Sequence, residues 1–139
     1  MQQRFVLKNE SSELPVFRAK MRTFLSEKGW PEKNTGEWLL VLDEALTNVI
    51  RHAYSGTPGE IIVEISDEPS KTEFMIEDHG KRFDPTQAPT PKLPKETPGG
   101  LGVHFIRQLT DRFEYDNSFQ GGNRIYLMRY KPSSARSGS

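Results

Sequence analysis

The sequence predicts an α+β fold, a two-layer sandwich in which three helices cover one face of a mostly antiparallel sheet. Three observations carry this. Before residue 54, two stretches repeat apolar residues at helical spacing. After residue 59, short strand-like stretches fall into two hairpins. Between the hairpins lie a proline-rich segment and one more short helical stretch, so the order is β-α-α-β-β-lid-α-β-β.

Residues 4–8 are short and apolar-rich and read as an edge strand. Ser11 and Ser12 can cap a first helix. Leu14, Phe17, Met21, Phe24 and Leu25 share one face of it, and Gly29 ends it. Residues 31–36 read as a connector. Asn34 or Thr35 can cap a longer helix that runs to about Ala53. At about 100° per residue, Trp38, Leu39, Leu42, Ala45, Leu46, Val49 and Ile50 form its broad apolar face. Glu44, Asn48 and Arg51 fall together on the opposite side, open to solvent or a ligand.

Residues 60–66 alternate, with Ile61, Val63 and Ile65 in phase, and residues 72–77 form the partner strand after a turn at 67–70. Residues 81–98 hold five of the ten prolines, which predicts a lid or binding loop. Leu101, Phe105, Ile106 and Leu109 give a third helix its buried side. Residues 113–116 and 124–130 form the closing hairpin around Gln120-Gly121-Gly122-Asn123. Residues 132–139 are Ser-rich and predict a disordered tail, leaving one domain over residues 1–131.

Composition removes several function classes. The 139 residues suffice for one hydrophobic core without disulfides or metal staples. Cysteine is absent, which excludes disulfides, thiolate metal sites and cysteine nucleophiles. With 19 basic and 19 acidic residues the formal charge is zero, so there is no global electrostatic case for nucleic acid or an anionic membrane. No apolar run approaches the ~20 residues of a membrane span. The expectation is a cytoplasmic protein with no direct nucleic-acid or membrane partner.

Three separated segments carry chemistry: Glu44-Ala45-Leu46-Thr47-Asn48, Glu77-Asp78-His79-Gly80 and Gly99-Gly100-Leu101-Gly102. Glu44 and Asn48 are helix neighbours, four residues apart. Magnesium takes oxygen ligands and keeps several waters and phosphate oxygens, so one Asn oxygen suits it. A carboxylate beside it can orient water or accept a hydroxyl proton. Asp78 ends a strand, and its carboxylate can receive the amino group of adenine. Gly80 lets the backbone come close to a flat base. The glycines at 99, 100 and 102 open a helix, where backbone N–H groups meet phosphate. Singly, each has an ordinary reading: a solvated helix face, a turn, a hinge. The third segment is neither a Walker A loop nor a full dinucleotide-binding motif. His52, His79 and His104 show no metal-ligand spacing. Lys81, Arg82, Arg107 and Arg112 could meet phosphates or an acidic partner, though each is ordinary as a solvated charge.

Residues 42–54 (Leu-Asp-Glu-Ala-Leu-Thr-Asn-Val-Ile-Arg-His-Ala-Tyr) resemble the N box of the GHKL ATPases, which include gyrase and the histidine kinases. Residues 76–85 resemble their second box and residues 99–106 their third. Gly121-Gly122-Asn123-Arg124 fits the family's closing hairpin, and the similarity covers roughly residues 5–130. The Arg-His-Ala-Tyr ending is most similar to the bacterial anti-sigma-factor serine/threonine kinases of the RsbW and SpoIIAB type.

The resemblance implies the Bergerat ATP-binding fold, with ATP and Mg2+ as ligands. It implies Glu44 as general base, Asn48 as magnesium ligand, Asp78 as reader of the adenine amine and Gly80 as support for the base. It places Gly99, Gly100, Leu101 and Gly102 along the triphosphate, and Arg51 and His52 with the nucleotide-binding set. It implies a STAS-domain anti-anti-sigma protein as substrate, a sigma factor as second partner, and a homodimer. A non-catalytic, nucleotide-gated partner switch is the alternative; retention of Glu44 argues against it. A sensor histidine kinase's catalytic domain fits less well, because no helical hairpin for a phosphorylatable histidine is visible. A small interaction domain whose glycines are only turns is a further alternative. Where the family's second box usually ends in glycine, this chain departs from it with Arg82, whose side chain could contact phosphate or crowd the pocket.

Overall fold

The computed structural model describes residues 1–54, 57–87 and 101–132. Five strands and three α-helices lie among them: β1 (Gln2–Lys8), α1 (Glu13–Glu27), α2 (Glu32–Asn48), β2 (Glu60–Asp67), β3 (Lys71–Asp78), α3 (Leu101–Leu109), β4 (Arg112–Tyr115) and β5 (Asn123–Tyr130). A π-helical turn, Val49–Ala53, continues α2, and a 3-10 turn, Pro85–Gln87, lies beyond the end of β3. The element order is the one the sequence predicts. Most of the proline-rich segment (88–98), Gly99, Gly100 and the tail from 133 onward lie outside the described residues.

The sheet runs β1-β2-β3-β5-β4, and every pairing is antiparallel. Alternation decides which residues face the helices. In β3 the buried positions are Thr72, Phe74, Ile76 and Asp78; in β5 they include Asn123, Ile125 and Leu127. Both strands thus carry their core stripe out to a polar residue at the same end of the sheet.

The helices cover that stripe with Leu14, Phe17, Met21 and Leu25 from α1 and with Trp38, Leu39, Leu42, Ala45 and Leu46 from α2. Trp38 is fully buried and meets Phe74 of the sheet at 4.8 Å and Trp30 edge-on at 5.8 Å. Gly29 ends α1 as predicted. Its N–H donates to the Ser26 carbonyl and the Trp30 N–H to that of Leu25, which satisfies the last-turn acceptors.

Several expectations need correction. Phe105 does not lie on the buried side of α3; it is 37% exposed, and Val103 and Ile106 are the residues that turn inward. Helix α2 starts at Glu32, not after an Asn34 or Thr35 cap. Pro31 has φ −60°, preset for helix entry, and the acidic Glu32 suits the positive helix start. Thr35 is buried in the first turn, and its hydroxyl bonds the Trp30 carbonyl. Ser12 precedes α1 but makes no side-chain cap bond. The last correction is the π turn. A regular α-helix does not extend to Ala53; the backbone widens after Asn48, and the Tyr54 N–H reaches back to the Val49 carbonyl at 3.4 Å.

Candidate functional site

Asp78 closes β3 on its core-facing side and is 1% exposed. Oδ1 accepts from the Gly80 N–H and from Asn123 Nδ2, both at 2.9 Å. Among the described residues no donor reaches Oδ2. Burial pushes the carboxyl above its ordinary pKa, and the bonds from Asn123 and Gly80 pull against that shift. A buried carboxylate with one saturated and one open oxygen is an acceptor held in reserve.

Asn123 lies directly opposite Asp78 in the β3–β5 register. Its amide is fully used. Nδ2 donates to Asp78 Oδ1 and, at 2.8 Å, to the Lys81 carbonyl. Oδ1 accepts from the Phe83 N–H and from the Tyr115 hydroxyl, each at 2.7 Å. One side chain therefore joins β3, the segment after it, and β4.

Tyr54 and the π turn hold the other side of that segment. The Tyr54 hydroxyl donates to the Glu60 carbonyl at 2.7 Å and accepts the His79 N–H at 2.8 Å. The Lys81 N–H donates to the Ala53 carbonyl at 2.7 Å. A Cβ on Gly80 would stand 2.4 Å from that same carbonyl oxygen, so this close approach needs glycine. Gly122 faces a comparable limit: its φ is +151° and a Cβ would meet the Asp78 carbonyl oxygen at 2.2 Å.

Beside Asp78 is a narrow cavity of about 20 Å³. Asn48, Asp78 and Asn123 give it polar atoms; Ala45, Ile76, Phe83, Ile106 and Ile125 are among its apolar walls. Apolar walls with a few fixed polar groups suit a flat heteroaromatic ligand. Among the described residues no hydrogen bond engages the Asn48 amide, so it is available beside the cavity.

Glu44 lies one helical turn before Asn48 on α2. Helix α3 packs on α2 so closely that a Cβ on Gly102 would stand 2.2 Å from Glu44 Oε2. The first and third sequence segments therefore meet at the start of α3, and the cavity links the first to the second. Among the described residues no hydrogen bond or ion pair engages the Glu44 carboxylate.

His52 stacks on the cavity-wall residue Phe83 at 4.4 Å with 21° between the rings. Burial, and then the Arg51 charge, lower its pKa. Arg51 is exposed and does not line the cavity. Gly99 and Gly100 lie outside the described residues, and Leu101 enters only as the first residue of α3. Arg82 does not line the cavity. Its guanidinium turns to the β4–β5 turn, where it donates to the carbonyls of Phe119 and Gly122. Asn123 and Tyr54 belong to the family-like motifs, but their roles do not show there. Asn123 follows two glycines and precedes an alternating strand; only pairing with β3 brings it to Asp78.

The chain matches the family described as histidine kinase-like ATPase domain over residues 7–129. It is 32% identical to the serine/threonine-protein kinase BtrW of Bordetella bronchiseptica, over 63% of this chain and 65% of that protein. It is 26% identical to the serine-protein kinase RsbW of Bacillus thuringiensis, over 69% of this chain and 65% of that protein. The chain thus spans about 65% of the length of these curated relatives. A solved structure, the blue-light activated histidine kinase of Erythrobacter litoralis EL346, superposes with a TM-score of 0.54 at 22% identity. That match covers 79% of this chain and 34% of the other, a likeness of fold.

Proposed function

The chain belongs to the histidine kinase-like ATPase domain family, and on that premise we propose that it is an ATP- and Mg2+-dependent protein serine/threonine kinase. The observation that carries this reading is the convergence of Asn48 and Asp78 on one cavity, with the Glu44 carboxylate held at the start of α3. Kinases among its relatives, BtrW and RsbW, support the reaction class.

The residues present fit the ligand. Asp78 Oδ2, buried and without a donor among the described residues, accepts from the exocyclic amine of adenine. The apolar walls take the faces of the ring. Leu101 and Gly102 begin α3, directly after Gly99 and Gly100 in the sequence, and N–H groups and the helix dipole there receive the triphosphate. Asn48 offers an amide oxygen to magnesium, which when bound neutralises and orders phosphate oxygens. Glu44 accepts the proton of the attacking serine or threonine hydroxyl as its oxygen bonds the γ-phosphorus and the bond from that phosphorus to the β–γ bridging oxygen breaks, with ADP as the leaving group. Arg51 and His52 complete the set at the edge, His52 by backing Phe83.

In this reading the phosphorylated substrate is a STAS-domain anti-anti-sigma protein. A sigma factor is the second partner, and the kinase works as a cytoplasmic homodimer with one ATP-binding domain over residues 1–131. Among the described residues no helix is long and apolar enough to cross a membrane. The test is direct. Purified protein, Mg-ATP and the cognate STAS protein should yield acid-stable phosphoserine or phosphothreonine. Glu44→Gln should bind ATP normally but transfer about 10²- to 10⁴-fold more slowly. Normal ATP binding without any transfer by the unaltered protein would replace the kinase with a nucleotide-gated partner switch.

A further inference from the structure

We propose that Arg82 is a positioning residue for the nucleotide base, acting from outside the cavity by fixing the segment that forms its wall. This rests on the reading of the cavity as the adenine site. Arg82 sits between two residues whose main-chain groups Asn123 holds: the Lys81 carbonyl and the Phe83 N–H. Its own head group points the other way. The guanidinium donates to the Phe119 carbonyl and, at 3.3 Å, to that of Gly122. Its Cζ lies 5.5 Å from the centre of the Tyr115 ring, and the Tyr115 hydroxyl donates to Asn123 Oδ1.

These contacts close a circuit: Arg82 to the β4–β5 turn, Tyr115 to Asn123, and Asn123 back to the residues on either side of Arg82. One guanidinium nitrogen, Nη1, donates to both carbonyls, while the delocalised cation also sits beside an aromatic ring. A lysine ammonium can donate to the carbonyls but lacks the planar group that pairs with the ring. The segment so fixed carries Phe83 and Pro85 into the cavity wall. Asp78 alone does not make a slot for a planar base; the slot requires a wall at a constant distance. Holding that wall before the ligand arrives removes an ordering cost from binding.

The distinguishing property is independence from the phosphates. A residue that acts on the wall weakens AMP, ADP and ATP by the same factor. A phosphate contact grows with phosphate number. The experiment compares the unaltered protein with Arg82→Ala and Arg82→Lys. It combines titration calorimetry for the three magnesium-nucleotides, amide hydrogen exchange of the nucleotide-free protein, and thermal unfolding.

For Arg82→Ala we expect about three- to tenfold weaker binding, equal for all three nucleotides. Exchange at the Phe83 amide should be at least about tenfold faster, while core amides of β2 and β3 are unchanged. Because Arg82 is exposed, Tm should stay within about 2 °C. Arg82→Lys should fall between the two. Unchanged Phe83 exchange overturns the proposal, as does faster exchange with unaltered affinity. A loss that grows from AMP to ATP assigns Arg82 to phosphate instead. Absence of nucleotide binding in the unaltered protein defeats the adenine reading itself, and the exchange data then separately decide whether Arg82 holds the wall.

Discussion

Asp78 and Asn123 face each other at the same end of neighbouring strands, and the Asn123 amide supplies one of the two hydrogen bonds on the Asp78 carboxylate. Each core-facing stripe therefore ends in a polar side chain; Asn123 and the Gly80 N–H both engage Oδ1 of Asp78, and among the described residues no donor reaches Oδ2. The same amide secures the Lys81–Phe83 segment.

Asn123→Ala should be costly. It leaves the Phe83 N–H and the Lys81 carbonyl without their partner and strips one bond from the Asp78 carboxylate in a position only 5% exposed. The expected loss is roughly 2–4 kcal/mol of unfolding free energy. Denaturant titration checks it, and a midpoint unchanged from the unaltered protein would show that the amide is dispensable.

Asp78→Asn should separate stability from binding. The new amide oxygen can keep the bonds from Gly80 and Asn123, while an NH2 replaces Oδ2 on the cavity side. Burial raises the carboxyl pKa, so the ionised acid is held at a cost that the amide avoids. Tm at pH 7 should stay level or rise. A donor now meets the adenine amine, so ATP should bind at least about tenfold more weakly. Calorimetry beside thermal unfolding reads both; wild-type ATP affinity in the variant would remove Asp78 as the reader of the base.

Gly102→Ala tests the placement of Glu44. A methyl would stand 2.2 Å from Glu44 Oε2 and 3.3 Å from Glu44 Cβ. The carboxylate terminates a flexible side chain and can swing aside, so Tm should fall by no more than about 2–4 °C. A displaced base should still lower the phosphotransfer rate by about tenfold or more. Equal rates in single-turnover assays would show that the position of Glu44 is not critical.

His52 predicts an acid-side loss of stability. Its folded pKa lies below 6.5, chiefly through burial and then through the Arg51 charge. The unfolded chain therefore binds more protons near and below pH 6.5 than the folded one does. Above about pH 7.5 both states are neutral and His52 contributes no pH dependence. As pH falls through 6.5 toward the lower folded pKa, stability should decline. Denaturant midpoints from pH 8 to 5 track this, and His52→Phe, which keeps a ring against Phe83, should flatten that part of the profile.

The candidate site divides into what neighbours in sequence reveal and what they do not. Glu44 and Asn48 are readable because four residues make one helical turn, and Asp78 because it continues the alternation of Phe74 and Ile76. Arg82 and Asn123 could not be placed this way. Their partners lie 37 and 45 residues distant in sequence, and no local period fixes a pairing across such a gap.

By itself, the sequence determined the element order, the buried faces of α1 and α2 and the end of α1 at Gly29, and it singled out the three segments proposed to bear chemistry. Helical and strand periods are local, set by backbone geometry within a few residues. Only the tertiary structure decided the Asp78–Asn123 register, the π turn that brings the Ala53 carbonyl to the Lys81 N–H, and the outward course of Arg82. Those features arise when strands and helices close on one another and buried donors and acceptors must all find partners, a condition imposed by the assembled core.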